Sequence, residues 1–550
     1  MRLTPLPAVL VGVLGSATLL SQAPTPNAGL GRITFPTSAP ASAQPAFERG
    51  VLLLHSFEYD DAIAAFREAQ RLAPGFAMAY WGEALSYSQP LWYNENVASA
   101  RAVLARLGPT REARAAKAPT PREKAYLDAV ERLFGDGSRP ARLQTYADHM
   151  AALVRDHAAD QEASAFYALA LLGTIPENAR NAQTSLKAGA LASSVLAKNP
   201  WHPGAAHYAL HAYDDGVNNR LGLDAARIYA KIAPASSHAL HMPSHVFLPL
   251  GMWNDAVASD EASFAASVAW VKRTGRTAAQ QDFHSLSWLH YEYMQQGRFA
   301  DARRLAEPVT RALAGANTRP ATGAVAGGSE HAHSDINRGF DADALRNELA
   351  SMRARAVVES GDWASMRGQA DFGNVDELFA LGMSSVKVGE PARAVAALEH
   401  LEKAAASIPD PSARAVADIM ADQIMGLVDL ALGDRPAGLA ALARAADAEE
   451  KQPRPIARPY PIKPAAELYG EALLAAGEPA KALAQFRRAL GRTPRRAAGL
   501  LGLARAAQKA GMAAEAARAA KEFLDVWHRA DPARREVAEG RRIVQAAGVK

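Results

Sequence analysis

The sequence contains no cysteine. Disulfides, thiolate nucleophiles, iron–sulfur clusters and cysteine-bound zinc are therefore excluded. Any metal must be held by His, Asp, Glu, Met or backbone oxygen. Charge of one sign is also missing in excess: 61 Lys+Arg face 57 Asp+Glu, a net charge of +4. That balance gives no argument for nucleic acid or an anionic membrane as partner. The local excess from Arg495 to Lys550, twelve Lys/Arg against six Asp/Glu, reads as a solvated helical face and tail. Long apolar runs are scarce. The one from Leu6 to Leu20 is too short to span a bilayer comfortably. It follows Met1-Arg2, which is the form of a secretory leader, so the reading is export, to a periplasm. Ala41-Ser42-Ala43 offers a small-x-small cut far from the apolar core; Ser21-Gln22-Ala23 is nearer but precedes Pro24. An uncleaved N-terminal anchor is the alternative. No other membrane span is expected. There is no strand alternation, no P-loop and no His-Glu-x-x-His.

What is present is helical periodicity, broken by Gly or Pro about every 15–20 residues, and a repeat. Ala62, Phe66, Ala69 and Pro74 are spaced four, three and five, and so are Ala482, Phe486, Ala489 and Pro494. Gly50 and Gly470 lie twelve residues before the first member of each set. Pro200 and Pro234 close two further units 34 residues apart. These features resemble the tetratricopeptide repeat (TPR), a 34-residue helix–turn–helix unit. The resemblance implies an all-α solenoid of stacked helix pairs with a curved groove, and by itself no chemistry. The divisions read from the sequence are a leader over 1–43, an N-terminal array over 44–313, a Gly-rich loop over 314–341, a C-terminal array over 342–530 and a basic capping tail over 531–550. The loop carries Glu330-His331-Ala332-His333, which reads as a flexible segment or a lid.

The histidines are unevenly spread: eight of 15 lie between His202 and His290. His207 and His211 are four apart, as are His241 and His245, each 34 residues after its counterpart. Residues four and seven apart share one helix face. His207, His211 and Asp214 therefore form one stripe, and His238, His241 and His245 another. His284 stands thirteen residues before Gly297, as His238 stands before Gly251, so it repeats the place of His238 one unit later. Counted in the TPR register, these positions resemble those that line the groove rather than the core. His202 and Asp215 extend the same groove. His290 reads as packing. Pro243 sits inside the second stripe and predicts a kinked helix.

Imidazole binds zinc, copper, nickel and iron, and helices about 8–10 Å apart can converge such side chains on one ion. The expected metal set is His207, His211, Asp214, His238, His241, His245 and His284, with Asp214 as ligand or orienting partner. The segments around His207–Asp215 and His238–His245, with Ala230–Pro234 between, also resemble a subgroup of exported bacterial TPR proteins, which supplies no reaction. Three functions stay open. The first is a scaffold that binds a transition metal or a metal-bearing ligand. The second is a metal-free groove for a peptide or protein in envelope assembly. The third is a metal-dependent enzyme of unidentified substrate and catalytic residues, with Asp215 or Glu261 as base.

Overall fold

The computed structural model describes residues 27–177, 179–316, 340–369 and 372–548. The apolar run Leu6–Leu20 and the His331/His333 motif lie outside those residues. The chain is an all-α solenoid of antiparallel helix pairs, beginning with Gln44–His55 against Tyr59–Leu72 and ending with Ala497–Lys509 against Ala513–Val526. A last helix, Arg535–Ala546, packs on the final pair. Extended pairing among the described residues is one two-residue ladder, Ser88–Gln89 with Asn94–Glu95. No described helix is long and apolar enough to cross a membrane.

The TPR-like residues do the work their spacing predicts. Phe66 is fully buried, and its ring is clamped between glycines of successive first helices. A Cβ on Gly50 would come within 2.6 Å of that ring, and one on Gly82 within 2.3 Å. Near the other end Phe486 is held between Gly470 and Gly502, where added Cβ atoms would sit at 3.2 and 2.2 Å. Glycine lets three helices share one aromatic ring, and the stack buries a face that no single pair could cover.

Residues 27–43, grouped with the leader on the Ala41–Ala43 pattern, pack onto the array. Phe35 is 1% exposed and meets the rings of Phe47, Trp81 and Tyr126 at centroid distances of 5.2, 5.7 and 5.1 Å. The Arg32 amide donates to the Trp201 carbonyl at 2.8 Å. A cut after Ala43 would remove these contacts.

The two arrays are not independent. The C-terminal one returns against the N-terminal one through Arg496, which is 1% exposed. Its guanidinium pairs with Glu359 at 2.7 Å and Glu467 at 2.9 Å and donates to Tyr291 Oη at 3.1 Å. Trp253 Nε1 donates to the Arg495 carbonyl at 2.9 Å, and the Asp531 amide to the Gly297 carbonyl at 3.0 Å. One apolar core accordingly includes residues from Leu30 to Ile543.

The glycine clamp makes a testable claim. Gly502→Ala forces Cβ into the Phe486 ring and is expected to cost about 1–3 kcal/mol by overpacking. Gly491→Ala, in the same region with nothing within 4 Å of its Cβ, is expected to be neutral or to stabilise by up to about 1 kcal/mol. Urea midpoints of both variants check this; equal effects would refute the clamp.

Candidate metal centre

The histidine helices start and stop for local reasons. Pro203–Tyr213 opens with Pro at its first position, and its N-cap is His202, whose Nδ1 accepts from the Ala205 amide at 3.1 Å. Proline costs nothing there because that amide has no helical partner. The next helix begins at Ser236, whose hydroxyl caps the Ala239 amide. It runs Ser237–His241 and then breaks. Pro243 cannot donate to the helical ladder, and the chain resumes as Ser244–Phe247. Asp282 caps Phe283–Gln295 through the Ser285 amide at 3.1 Å.

Six of the predicted imidazoles come together, as two trios rather than one cluster. In the first, His207 Nε2 lies 2.9 Å from His238 Nε2 and 3.0 Å from His211 Nε2. In the second, His241 Nε2 lies 3.0 Å from His245 Nε2, and the His284 ring is 4.8 Å from His241 and 6.1 Å from His245 between centroids. Within each trio the candidate ligand atoms all lie within 4.8 Å of one another. His284 thus completes the second trio as His238 completes the first. It departs from the 34-residue step because the intervening helix Trp253–Thr274 has 22 residues.

The expectation of an open groove position is corrected. His207, His238, His241 and His245 are at most 3% exposed, while His211 and His284 are half-buried. Aromatic rings cover them. Phe57 lies 4.2 Å from His207, Trp92 lies 5.5 Å from His238, and Trp288 lies 4.4 Å from His245. Phe57 itself has φ +59, a left-handed backbone that costs a bulky residue about 1–2 kcal/mol. That turn after Gln44–His55 carries its ring onto the first trio.

The partners of the Nδ1 atoms define the chemistry. His207 Nδ1 is 2.7 Å from the His55 carbonyl. That carbonyl is available because the last carbonyls of a helix have no helical partner. A carbonyl only accepts, so His207 carries its proton on Nδ1 and presents a lone pair at Nε2. Burial pushes its pKa down to about 3, against the effect of that hydrogen bond, so the ring is neutral. His245 Nδ1 faces Asp214 Oδ2 and His241 Nδ1 faces Asp260 Oδ1, both at 2.6 Å. Behind His241, Asp260 and Glu292 are fully buried together. Burial pushes both carboxyl groups well above their ordinary range, and the Asp260 charge adds to the effect on Glu292. Asp214 contacts His245 at Nδ1 and is not a member of either trio.

The two groove residues lie elsewhere. His202 is fully buried with His55 and Glu162. Its Nε2 lies 3.1 Å from Glu162 Oε1, and His55 Nε2 lies 2.8 Å from Oε2. Burial raises the Glu162 carboxyl, but the two imidazoles outweigh it and hold the group at about 2. His202 Nδ1 accepts from an amide, so its Nε2 bears the proton aimed at Glu162. This third group also brings its candidate ligand atoms within 4.8 Å of one another, and it differs from the two trios in having a carboxylate among them. Asp215 accepts from the amides of Val217 and Asn218 at 2.8 and 2.6 Å; it shapes the turn after Pro203–Tyr213. Glu261 is exposed and accepts from Tyr293 Oη at 2.6 Å, on the side of its helix away from Asp260.

Sequence reading missed His55, Phe57, Asp260 and Glu292. His55 and Phe57 lie about 150 residues before the trio they support, and no period connects them. Asp260 is adjacent to the residue that was named, but helix phase decides which of two neighbours faces inward.

No protein-family model matches the sequence, and no curated protein matches it. Among solved structures, the APC/C hetero-tetramer Cut9–Hcn1 is 12% identical, covering 93% of this chain and 78% of that one, with a TM-score of 0.29. The human IFIT1 dimer is 12% identical over 88% of this chain and 91% of its own, with a TM-score of 0.31. A tetratricopeptide repeat protein from Parabacteroides merdae is 12% identical over 72% of this chain and 100% of its own, with a TM-score of 0.27. Likeness at that level bears on neither site nor partner. The class, a helical-repeat solenoid with TPR-like pairs, rests on this chain's own glycine–phenylalanine clamps and helix order.

His290, fully buried, is pushed down to about 3 by burial first and then by Arg458 and Arg355. In the unfolded chain it titrates near the ordinary 6.5. A depressed histidine stabilises the fold fully above that value and loses the contribution as pH falls toward 3. The parent should therefore lose about 1.4 kcal/mol per pH unit relative to His290→Gln between pH 6.5 and 4. Urea midpoints across that range check the slope; a constant difference would contradict a buried neutral His290.

Proposed function

We propose that this protein is an exported helical-repeat scaffold whose N-terminal array binds a transition metal through the imidazole trios. One observation carries the reading. The His207 tautomer is fixed by a backbone carbonyl, and its Nε2 lone pair faces two further Nε2 atoms at 2.9 and 3.0 Å. One lone pair makes one good hydrogen bond, so two such close neighbours call for a shared electrophile. A tetrahedral ion with 2.0–2.1 Å bonds holds its nitrogens about 3.3 Å apart. The trios are close to that arrangement. The carbonyl behind His207 and the carboxylates behind His241 and His245 are the outer partners that metal-binding histidines commonly have. The basic start and short apolar run support export. Histidines suit zinc, copper, nickel or iron.

The fold also supports a protein-interaction scaffold, since stacked helix pairs present extended surfaces. A cleft of about 520 Å³ opens where the C-terminal array returns, lined by Trp363, Lys463, Glu471, Arg505 and Trp527 among others. It offers a peptide both charge and apolar surface. A partner captured equally by parent and His211→Ala/His245→Ala protein, in chelator, would make this the main function.

Metal content by mass spectrometry, on protein purified without chelator, tests the first reading. Near-stoichiometric metal is expected in the parent, and its loss in the His211→Ala/His245→Ala variant at unchanged helical circular dichroism. No metal in either would refute the reading. Asp214→Ala leaves all six imidazoles but frees the His245 ring. A 10–100-fold weaker metal affinity is expected from losing such an outer partner, measured by competition with a chromophoric chelator; unchanged affinity would show that Asp214 does not orient the ligand.

A further inference from the structure

The division into two trios says more than that metal binds. We infer that the site is binuclear: each trio holds one copper ion, and the pair binds a single dioxygen molecule between them. The inference rests on the metal-binding reading above and extends it to stoichiometry, metal identity and ligand class.

The geometry links the trios. The rings of His211 and His245, one from each, have centroids 6.5 Å apart. Asp214, at the end of the helix that supplies His207 and His211, accepts from Nδ1 of His245 in the other trio. One carboxylate thus ties the two sets together, so the sites cannot move independently. His211 and His284, the half-buried members, mark where a small molecule can reach an otherwise enclosed pair. Phe57, Trp92 and Trp288 wall the buried members, which favours a small, weakly polar ligand over a hydrated ion or a bulky substrate.

The donor set selects the metal. Each trio offers neutral imidazoles, and the carboxylates stand behind the rings at Nδ1 rather than among the Nε2 atoms. Neutral nitrogen donors do not offset the charge of a trivalent ion, which disfavours an iron pair cycling through the ferric state. They suit copper, which stands highest among divalent ions for such ligands and cycles between +1 and +2. Three nitrogens also leave coordination positions open, as a reactive site requires. The electron balance closes within the site. Each cuprous ion gives one electron to dioxygen, and the products are two cupric ions and one bound peroxide. The O–O bond is reduced in order but not cleaved, and no proton moves.

The test loads full-length protein with cuprous ion under argon and then admits air. The expected result is two copper ions per chain, uptake of one dioxygen per chain, and no paramagnetic resonance signal, because the two cupric spins pair through the bridge. His284→Ala, at the half-buried edge, is expected to keep one copper, lose dioxygen uptake and show the signal of one isolated cupric ion. Two copper ions whose signal integrates to two separate spins would overturn the pair while leaving metal binding intact. A single copper in the parent would do the same. A chain that takes up no copper, zinc, nickel or iron would overturn the metal-binding reading itself. Circular dichroism of the variant guards against misfolding. If His284→Ala does not fold, His238→Ala in the first trio makes the same comparison.

Discussion

Close approach of helices, permitted by glycine, is the constraint on which the rest of this structure depends. At Gly50, Gly82, Gly470 and Gly502 it lets an aromatic ring seat between successive units. At Gly204 it does something more specific. A Cβ there would lie 2.2 Å from His55 Nδ1, so only glycine admits the end of Gln44–His55 against Pro203–Tyr213. That contact brings the His55 carbonyl to His207 and the His55 ring to Tyr208 and Glu162. The packing of the solenoid and the orientation of the first trio are consequences of the same device.

Electrostatics then separates two kinds of histidine cluster that look alike by composition. Around Glu162, a carboxylate lies among two imidazoles, which hold it well below its ordinary range. In the imidazole trios, Nδ1 of His207 meets a carbonyl, Nδ1 of His241 and His245 meet carboxyl groups, and the Nε2 atoms converge. Burial disfavours the charged form of His207 and His241, and neutral imidazole is the form that binds metal. The same burial pushes the carboxyl groups of Asp260 and Glu292 well above their ordinary range.

The arrays on either side of the Gly-rich segment form one body. Arg496 is fully desolvated between Glu359 and Glu467, and removal of one partner from such a group typically costs 3–5 kcal/mol because the others stay buried. This contact fixes how the last pairs sit against Trp253–Thr274 and Phe283–Gln295, the helices that carry Asp260 and His284. The C-terminal half thereby braces the second trio, although it contributes none of its atoms.

Much of this was legible in the chain. Period and composition determine an all-α repeat, because helix spacing is local and the glycine–phenylalanine offset recurs near both ends of the chain. The i, i+4 histidines with their 34-residue step place a stripe on each of two helices, and the matched glycine offsets make His284 a counterpart of His238; that His238 leaves the stripe of His241 and His245 to join His207 and His211 is not contained in either pattern. The burial of those histidines, their sorting into two trios and the tautomers they adopt were decided by the tertiary structure alone. Each depends on a residue with no sequential relation to the site: the carbonyl of His55, the turn at Phe57, the inward face of Asp260. Side chains meet across a solenoid according to how closely its helices approach. That distance is set by packing between units, which a one-dimensional pattern does not contain.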